Sequence, residues 1–159
     1  MPRTGLLLTS LTLCADNSLC ADNSCPPRFK VSGVTLMQRA HNPYRRRRQY
    51  SDALKFRPDV VIVNLDTNDL LALNWGPLGC IEFARDYADL VAEFRGRNPA
   101  AEVFLCLPNV RGLDFCSKAA QAELLATIRE VAVSVEAAGL IDLDMGASDL
   151  CVVPVQPSA

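Results

Sequence analysis

Asp66, Thr67, Asn68 and Asp69 set two carboxyl groups, a hydroxyl and an amide side by side, directly after the apolar run Val60-Val61-Ile62-Val63-Asn64-Leu65. Side chains of these types move protons and donate hydrogen bonds to reacting atoms. Their place matters as much as their chemistry. A continuous β-branched run reads as a strand of a parallel sheet buried on both faces, and open sheets of that class bind ligands beyond the carboxyl ends of their strands. The same four residues are also what an ordinary turn would use, because Asn and Asp are good turn formers. Position alone leaves both readings open.

The elements around this cluster alternate regularly after residue 50. Residues 50–56 read as a short helix and 59–65 as a strand. Residues 81–94 follow as a helix, with Phe83, Tyr87, Leu90, Val91 and Phe94 on one face as core. Residues 102–107 form the next strand, closed by Pro108, and Ser117 is placed to cap a long helix that Gly139 would stop. Residues 140–143 make a last short strand. Upstream, 6–8 is a candidate first strand and 29–31 a second. Between them Cys14-Ala15-Asp16-Asn17-Ser18 is followed by a second copy, Cys20-Ala21-Asp22-Asn23-Ser24, in a polar loop. Strand and helix in alternation, with right-handed crossovers, predict a doubly wound α/β sandwich.

With 159 residues, half of them hydrophobic, and a net charge of −2, the chain is expected to form one domain over residues 1–159, irregular over 1–28. Neither the charge nor the single basic block, Arg45-Arg46-Arg47-Arg48, points to nucleic acid; the block reads as a solvated loop or helix start. No apolar run reaches the about 18 residues that a membrane span requires. The leucines of residues 5–15 fit a first core strand or a short secretory signal, so the compartment is open between secreted and cytoplasmic. Seven cysteines and one histidine, His41, form no CxxC pair and no zinc-type cluster, and no metal or cofactor is expected. Cys106, inside an apolar strand, is expected to be a buried free thiol. The oligomeric state is not legible.

Pro58-Asp59-Val60-Val61-Ile62-Val63 resembles the phosphoacceptor strand of receiver domains. That resemblance requires an acidic pair after the first strand and a lysine after a later one. Leu8-Thr9-Ser10 and Leu107-Pro108-Asn109 supply neither.

The fuller resemblance is to the SGNH (GDSL-type) ester hydrolases. Leu65-Asp66-Thr67-Asn68-Asp69 matches their Gly-x-Asn-Asp block with aspartate in place of the glycine, and Val31-Ser32-Gly33-Val34-Thr35 is similar to their glycine-centred second block. Asn42-Pro43-Tyr44, Asn74-Trp75, Phe83-Ala84-Arg85-Asp86-Tyr87, Phe104-Leu105-Cys106-Leu107-Pro108 and Leu140-Ile141-Asp142-Leu143 extend the likeness over residues 29–149, which is greatest to members related to sialate O-acetylesterases. The resemblance implies a flavodoxin-like three-layer α/β/α sandwich with a parallel sheet, shortened at both ends. It also implies a small ester or acylated carbohydrate as substrate.

By the same resemblance Gly33 offers its backbone N–H and Asn68 its amide to a developing oxyanion, with Thr67 and Asp69 as supporting motif residues. Ser10, in Leu8-Thr9-Ser10-Leu11-Thr12, falls where the family has its nucleophile and would add its own N–H as a third donor; Ser18 is the alternative. The family's closing Asp-x-x-His falls on Val153-Pro154-Val155-Gln156, so Val153 and Gln156 stand where the orienting acid and the base belong. His41, in the loop after the second block, is not expected to replace them. Asp66 would place a negative charge near the oxyanion. Two functions are therefore carried forward: an esterase with a lapsed acid–base pair, and an inactive relative that binds its ligand or is a degenerate gene product.

Overall fold

The computed structural model describes residues 6–9, 29–143, 151–153 and 155. Its strands form one sheet in the order β1 (Leu6–Thr9), β2 (Val60–Asn64), β3 (Glu102–Leu107), β4 (Gly139–Asp142), β5 (Cys151–Val153). The first four are mutually parallel, with Leu8 beside Val63, Val63 beside Leu105 and Leu105 beside Leu140. β5 runs antiparallel to β4. Three helices connect the parallel strands: α1 (Arg48–Phe56), α2 (Gly79–Arg97) and α3 (Lys118–Ser134). With the right-handed crossovers usual for such connections, parallel neighbours taken in chain order place these helices on one face, where α1 packs on α2 and α2 on α3. This is the α/β architecture of an SGNH hydrolase; of the expected three-layer sandwich, the described residues supply the parallel sheet and one helical layer.

Burial refines the expectation for β2. Val61 and Val63 are fully buried beneath the helices, as are Val103 and Leu105 of β3, whereas Val60, Ile62 and Phe104 on the opposite face stay partly exposed. The continuous apolar run therefore fills one face completely and the other in part, rather than both equally. Phe83, Tyr87, Leu90, Val91 and Phe94 of α2 all lie in the core, and Cys106 is a buried free thiol. No described helix is long and apolar enough to cross a membrane.

Most elements lie within three residues of their expected bounds, and two expectations differ by more. Residues 29–31 form no strand; Phe29 instead accepts a hydrogen bond from the Tyr44 hydroxyl at 2.6 Å, and the chain turns at once into a loop. Ser117 caps α3 as expected, its Oγ accepting from Ala120 N at 3.1 Å. The helix does not wait for Gly139 to end. It stops at Ser134, and Arg95 of α2 donates to the exposed carbonyls of Val135 and Glu136. Glu136 takes a positive φ of 50°, and Gly139 opens β4 instead.

Candidate active site

The site is assembled from the loop 33–44 and the 3-10 turn Thr67–Leu70 that follows β2. Gly33 has φ of +72°, a left-handed conformation that a side chain would strain, so the turn needs glycine. Its carbonyl accepts from Asn42 Nδ2 at 2.8 Å, and its N–H is engaged by no group of the described residues. Thr35 then stitches the loop closed, donating from N to Asn42 O and accepting at O from Tyr44 N, both at 2.9 Å. Val34, Thr35, Leu36 and Met37 are buried, so this loop is part of the core.

Asn68 reaches that loop directly, its Nδ2 donating to Val34 O at 3.0 Å. The two expected donors, Gly33 and Asn68, are thus brought together by a bond to the residue beside the glycine. An amide nitrogen carries two hydrogens, and this bond uses one of them. Asp69, fully buried, accepts Leu36 N and Met37 N on its two oxygens at 2.8 Å each. Burial raises this carboxyl to about 7, and the two amides pull the other way. Asp86 of α2 continues the row by accepting Gln38 N at 2.8 Å.

Asp66 behaves differently from the negative charge that its sequence position implies. It is fully buried, and Thr67 Oγ1 donates to its Oδ1 at 2.9 Å while Oδ2 has no partner among the described residues. Burial drives the carboxyl up to about 7 against the opposing Thr67 bonds, so near neutral pH it is close to half protonated. Burial and, second to it, the nearby Asp66 also push the Tyr87 hydroxyl and Cys106 thiol well above their ordinary values. Thr67 therefore supports Asp66, and Asp69 supports the glycine loop.

Sequence reasoning did not assign Asn74, which links the site to the only histidine. Its Oδ1 accepts His41 N at 3.2 Å, and its Nδ2 donates to Asn68 O at 2.9 Å and lies 3.0 Å from His41 Nδ1. That amide is oriented by its two backbone bonds, and it places its Nδ2 and Oδ1 3.0 and 3.4 Å from His41 Nδ1. Trp75 follows, its indole tilted against Phe83 at 5.8 Å and its Nε1 donating to Glu123 of α3 at 2.8 Å. A Cβ on Gly79 would come within 2.9 Å of this indole.

The other side of the expected site is carried by β5. Cys151 pairs with Asp142 at the carboxyl end of β4, and Val153 pairs with Leu140, two residues back from that end. The antiparallel direction leads Val153 away from the edge where Asn68 sits, by about 7 Å at the usual rise of a strand. Val155 then packs against the core. Ser10, Ser18 and Gln156 lie outside the described residues, as does the duplicated loop. Among the described residues no group of three or more His, Cys, Asp or Glu side chains is arranged to hold a metal ion.

Comparison with known proteins gives the family and the fold. The model of the GDSL-like Lipase/Acylhydrolase family matches residues 21–154, most of the chain. The chain belongs to this family. The match includes Gly33, Asn68 and Asp69 and begins after both Ser10 and Ser18. An acetylxylan esterase from Xylanibacter ruminicola is 37% identical to this GDSL-like chain over 67 residues, or 42% of the chain. The aligned stretch spans only 14% of that curated relative's length. Among solved structures, one described as a GDSL-like lipase from Parabacteroides merdae superposes with a TM-score of 0.60 at 16% identity, covering 88% of this chain and 77% of that one. That likeness establishes the fold. A peptidoglycan O-acetylesterase aligns with a TM-score of 0.48 at 20% identity, over 68% of this chain and 31% of its own.

Proposed function

We propose that this chain is an SGNH-type serine ester hydrolase directed at acetyl or other acyl esters of a carbohydrate, with its oxyanion half intact and its acid–base half lost. Ser10 is the nucleophile, and Ser10 N–H, Gly33 N–H and Asn68 Nδ2 are the oxyanion donors. Attack by Ser10 Oγ on the ester carbonyl forms the new C–O bond, and the carbonyl oxygen takes up the negative charge that these donors stabilise. Preorganised donors of this kind contribute about 3–4 kcal/mol each to the transition state. The serine proton and the leaving alkoxide then require a base and an acid. With Val153 and Gln156 in the place of that pair, water must serve instead, and turnover is slow.

The observation that carries the reading is the bond from Asn68 Nδ2 to Val34 O, which joins the Gly-x-Asn-Asp block to the glycine block. The carbohydrate ester is inferred from family membership and from the acetylxylan esterase likeness. A second reading, an inactive SGNH-like module that binds its acylated ligand without cleaving it, is favoured by Val153 and Gln156 and by β5, which leads Val153 back from the carboxyl edge. Hydrolysis of p-nitrophenyl acetate separates the two. Slow turnover, a small multiple of the buffer rate and abolished by Ser10→Ala, is expected. Turnover indistinguishable from buffer, with retained affinity for acetylated xylo-oligosaccharide, supports the binding module. Rapid turnover lost in Ser10→Ala would show that another group supplies the base.

A further inference from the structure

Three successive backbone N–H groups, those of Leu36, Met37 and Gln38, end on two buried carboxylates that come from different elements. Asp69 takes the first two and Asp86 the third. Of these acids, Asp69 is the neighbour of Asn68 in a single 3-10 turn. That turn therefore grips the glycine loop at two levels: Asn68 Nδ2 holds Val34 O, and one turn residue later Asp69 holds the amides of Leu36 and Met37. Gly33, the other expected donor, is the residue before Val34 and lies at the free end of this grip. We infer that Asp69 is the positioning residue of the oxyanion site, fixing the separation between Gly33 N–H and Asn68 Nδ2. This rests on the esterase reading for its catalytic meaning, and on geometry alone for the clamp itself.

The physical reasoning is short. Placing a carboxylate in a fully buried position costs free energy unless its oxygens are bonded, and here each oxygen takes one amide at 2.8 Å. A fork of that kind fixes direction as well as distance, because both oxygens must meet amides one residue apart. An amide in its place would accept one N–H and turn its own NH2 towards the other. The loop must then move locally to part the facing N–H and NH2 groups, and Val34 O, two positions from Leu36, moves relative to Asn68. A shift of about 1 Å in a catalytic donor is enough to cost about two orders of magnitude in rate. Arg39 reinforces the outer part of the loop by pairing with Glu82 and donating to Asn74 O at 2.9 Å, and no such exposed pair can replace the buried fork.

The test compares Asp69→Asn with Asn98→Ala, which removes bonds to Pro58 O and Asp59 Oδ1 at the amino end of β2, far from the loop. Backbone and side-chain amide NMR spectra of the full chain are recorded for each, with thermal midpoints and p-nitrophenyl acetate kinetics. Asp69→Asn is expected to move the Gly33 N–H and Asn68 NH2 resonances and to lower residual kcat tenfold or to the buffer rate, whichever comes first, with KM within twofold wherever turnover is still measured. Asn98→Ala is expected to lower the thermal midpoint while leaving both resonances in place. A folded Asp69→Asn protein with unmoved Gly33 and Asn68 signals overturns the clamp. Equal movement in Asn98→Ala would reduce Asp69 to a general stabiliser and also overturns it. Should Asp69→Asn not fold, hydrogen exchange of the unmutated chain decides. Leu36 and Met37 amides are expected to be as protected as those of β2, and ready exchange there sinks the proposal. If no variant shows turnover, the esterase reading fails while the NMR arms still judge the clamp.

Discussion

On the proposed esterase reading, the turn after β2 and the strand β5 meet the same requirement with opposite outcomes. The turn holds Asn68 by Val34, the glycine loop by Asp69 and its own backbone by Asn74, and leaves one buried oxygen of Asp66 without a partner among the described residues. β5 offers Val153, a residue that can neither orient nor transfer a proton, and pairs it with Leu140 away from the carboxyl edge. The contrast teaches that the two halves of such a site are structurally separable. Oxyanion donors are backbone and amide groups whose positions also serve packing, so folding itself maintains them. An acid–base pair serves only the reaction, and nothing in the core depends on it.

Four changes test that contrast, beginning with the greatest expected loss. Asn68→Ala removes a donor from the intact half and should cut the residual p-nitrophenyl acetate rate by about a hundredfold or to the buffer rate, whichever comes first. A loss under threefold would break the comparison, because the turn would then be well built for packing alone. Next comes Asp66. Its folded value is pushed up to about 7 from an unfolded value near 3.9, so the folded state holds more protons between those limits. Stability is therefore greatest below about pH 4 with respect to this group and is lost as pH rises through about 7. Asp66→Asn should flatten the fall in thermal midpoint between pH 5 and pH 8, a difference on the order of a few kcal/mol. Asp69, pushed up to about 7 as well, should leave part of the slope in place. An unchanged slope would mean that Asp66 is ionised without penalty.

Smaller effects sharpen the picture. Gly33→Ala should cost about 1–2 kcal/mol in urea denaturation, entirely from the left-handed backbone. The added Cβ would meet only Asn42 Nδ2 at 3.9 Å, so no steric clash contributes. The smallest effect belongs to the lapsed half. Restoring Val153→Asp together with Gln156→His should leave turnover within twofold, because β5 fixes residue 153 beside Leu140. A tenfold gain would show that this strand releases to reach the turn, and would make the two halves less separate than they look.

Local sequence signals carried far in some elements and failed in others for identifiable reasons. Residues 102–107 match β3 residue for residue, since a short continuous apolar run closed by Pro108 leaves little freedom. Ser117 caps α3 because a serine cap is a local bond, from its own side chain to Ala120 N. The end of α3 is not legible because Glu136 rather than a glycine takes the left-handed position that closes it, while Arg95, about 40 residues earlier on α2, holds the carbonyls of Val135 and Glu136 just beyond the helix. Residues 29–31 carry strand-like residues, but their partner is the Tyr44 hydroxyl rather than a neighbouring strand. In the site, Gly33 and Asn68 were visible as family motif positions. The fork from Asp69 to Leu36 and Met37 spans 33 and 32 residues of sequence, and no spacing rule announces a contact of that length. Asn74 was passed over for a related reason: its role depends on meeting His41 and Asn68 at once.

Trp75 is the only tryptophan of the chain, and it stands one residue beyond Asn74 with its indole N–H tied to Glu123 and its ring seated against Gly79 and Phe83. The molecule consequently contains a single indole fluorophore at the junction of the turn after β2 with α2 and α3. Its emission colour and quenching report that junction without a label, so ligand entry, loosening of the turn or separation of the two helices becomes an optical signal independent of any turnover.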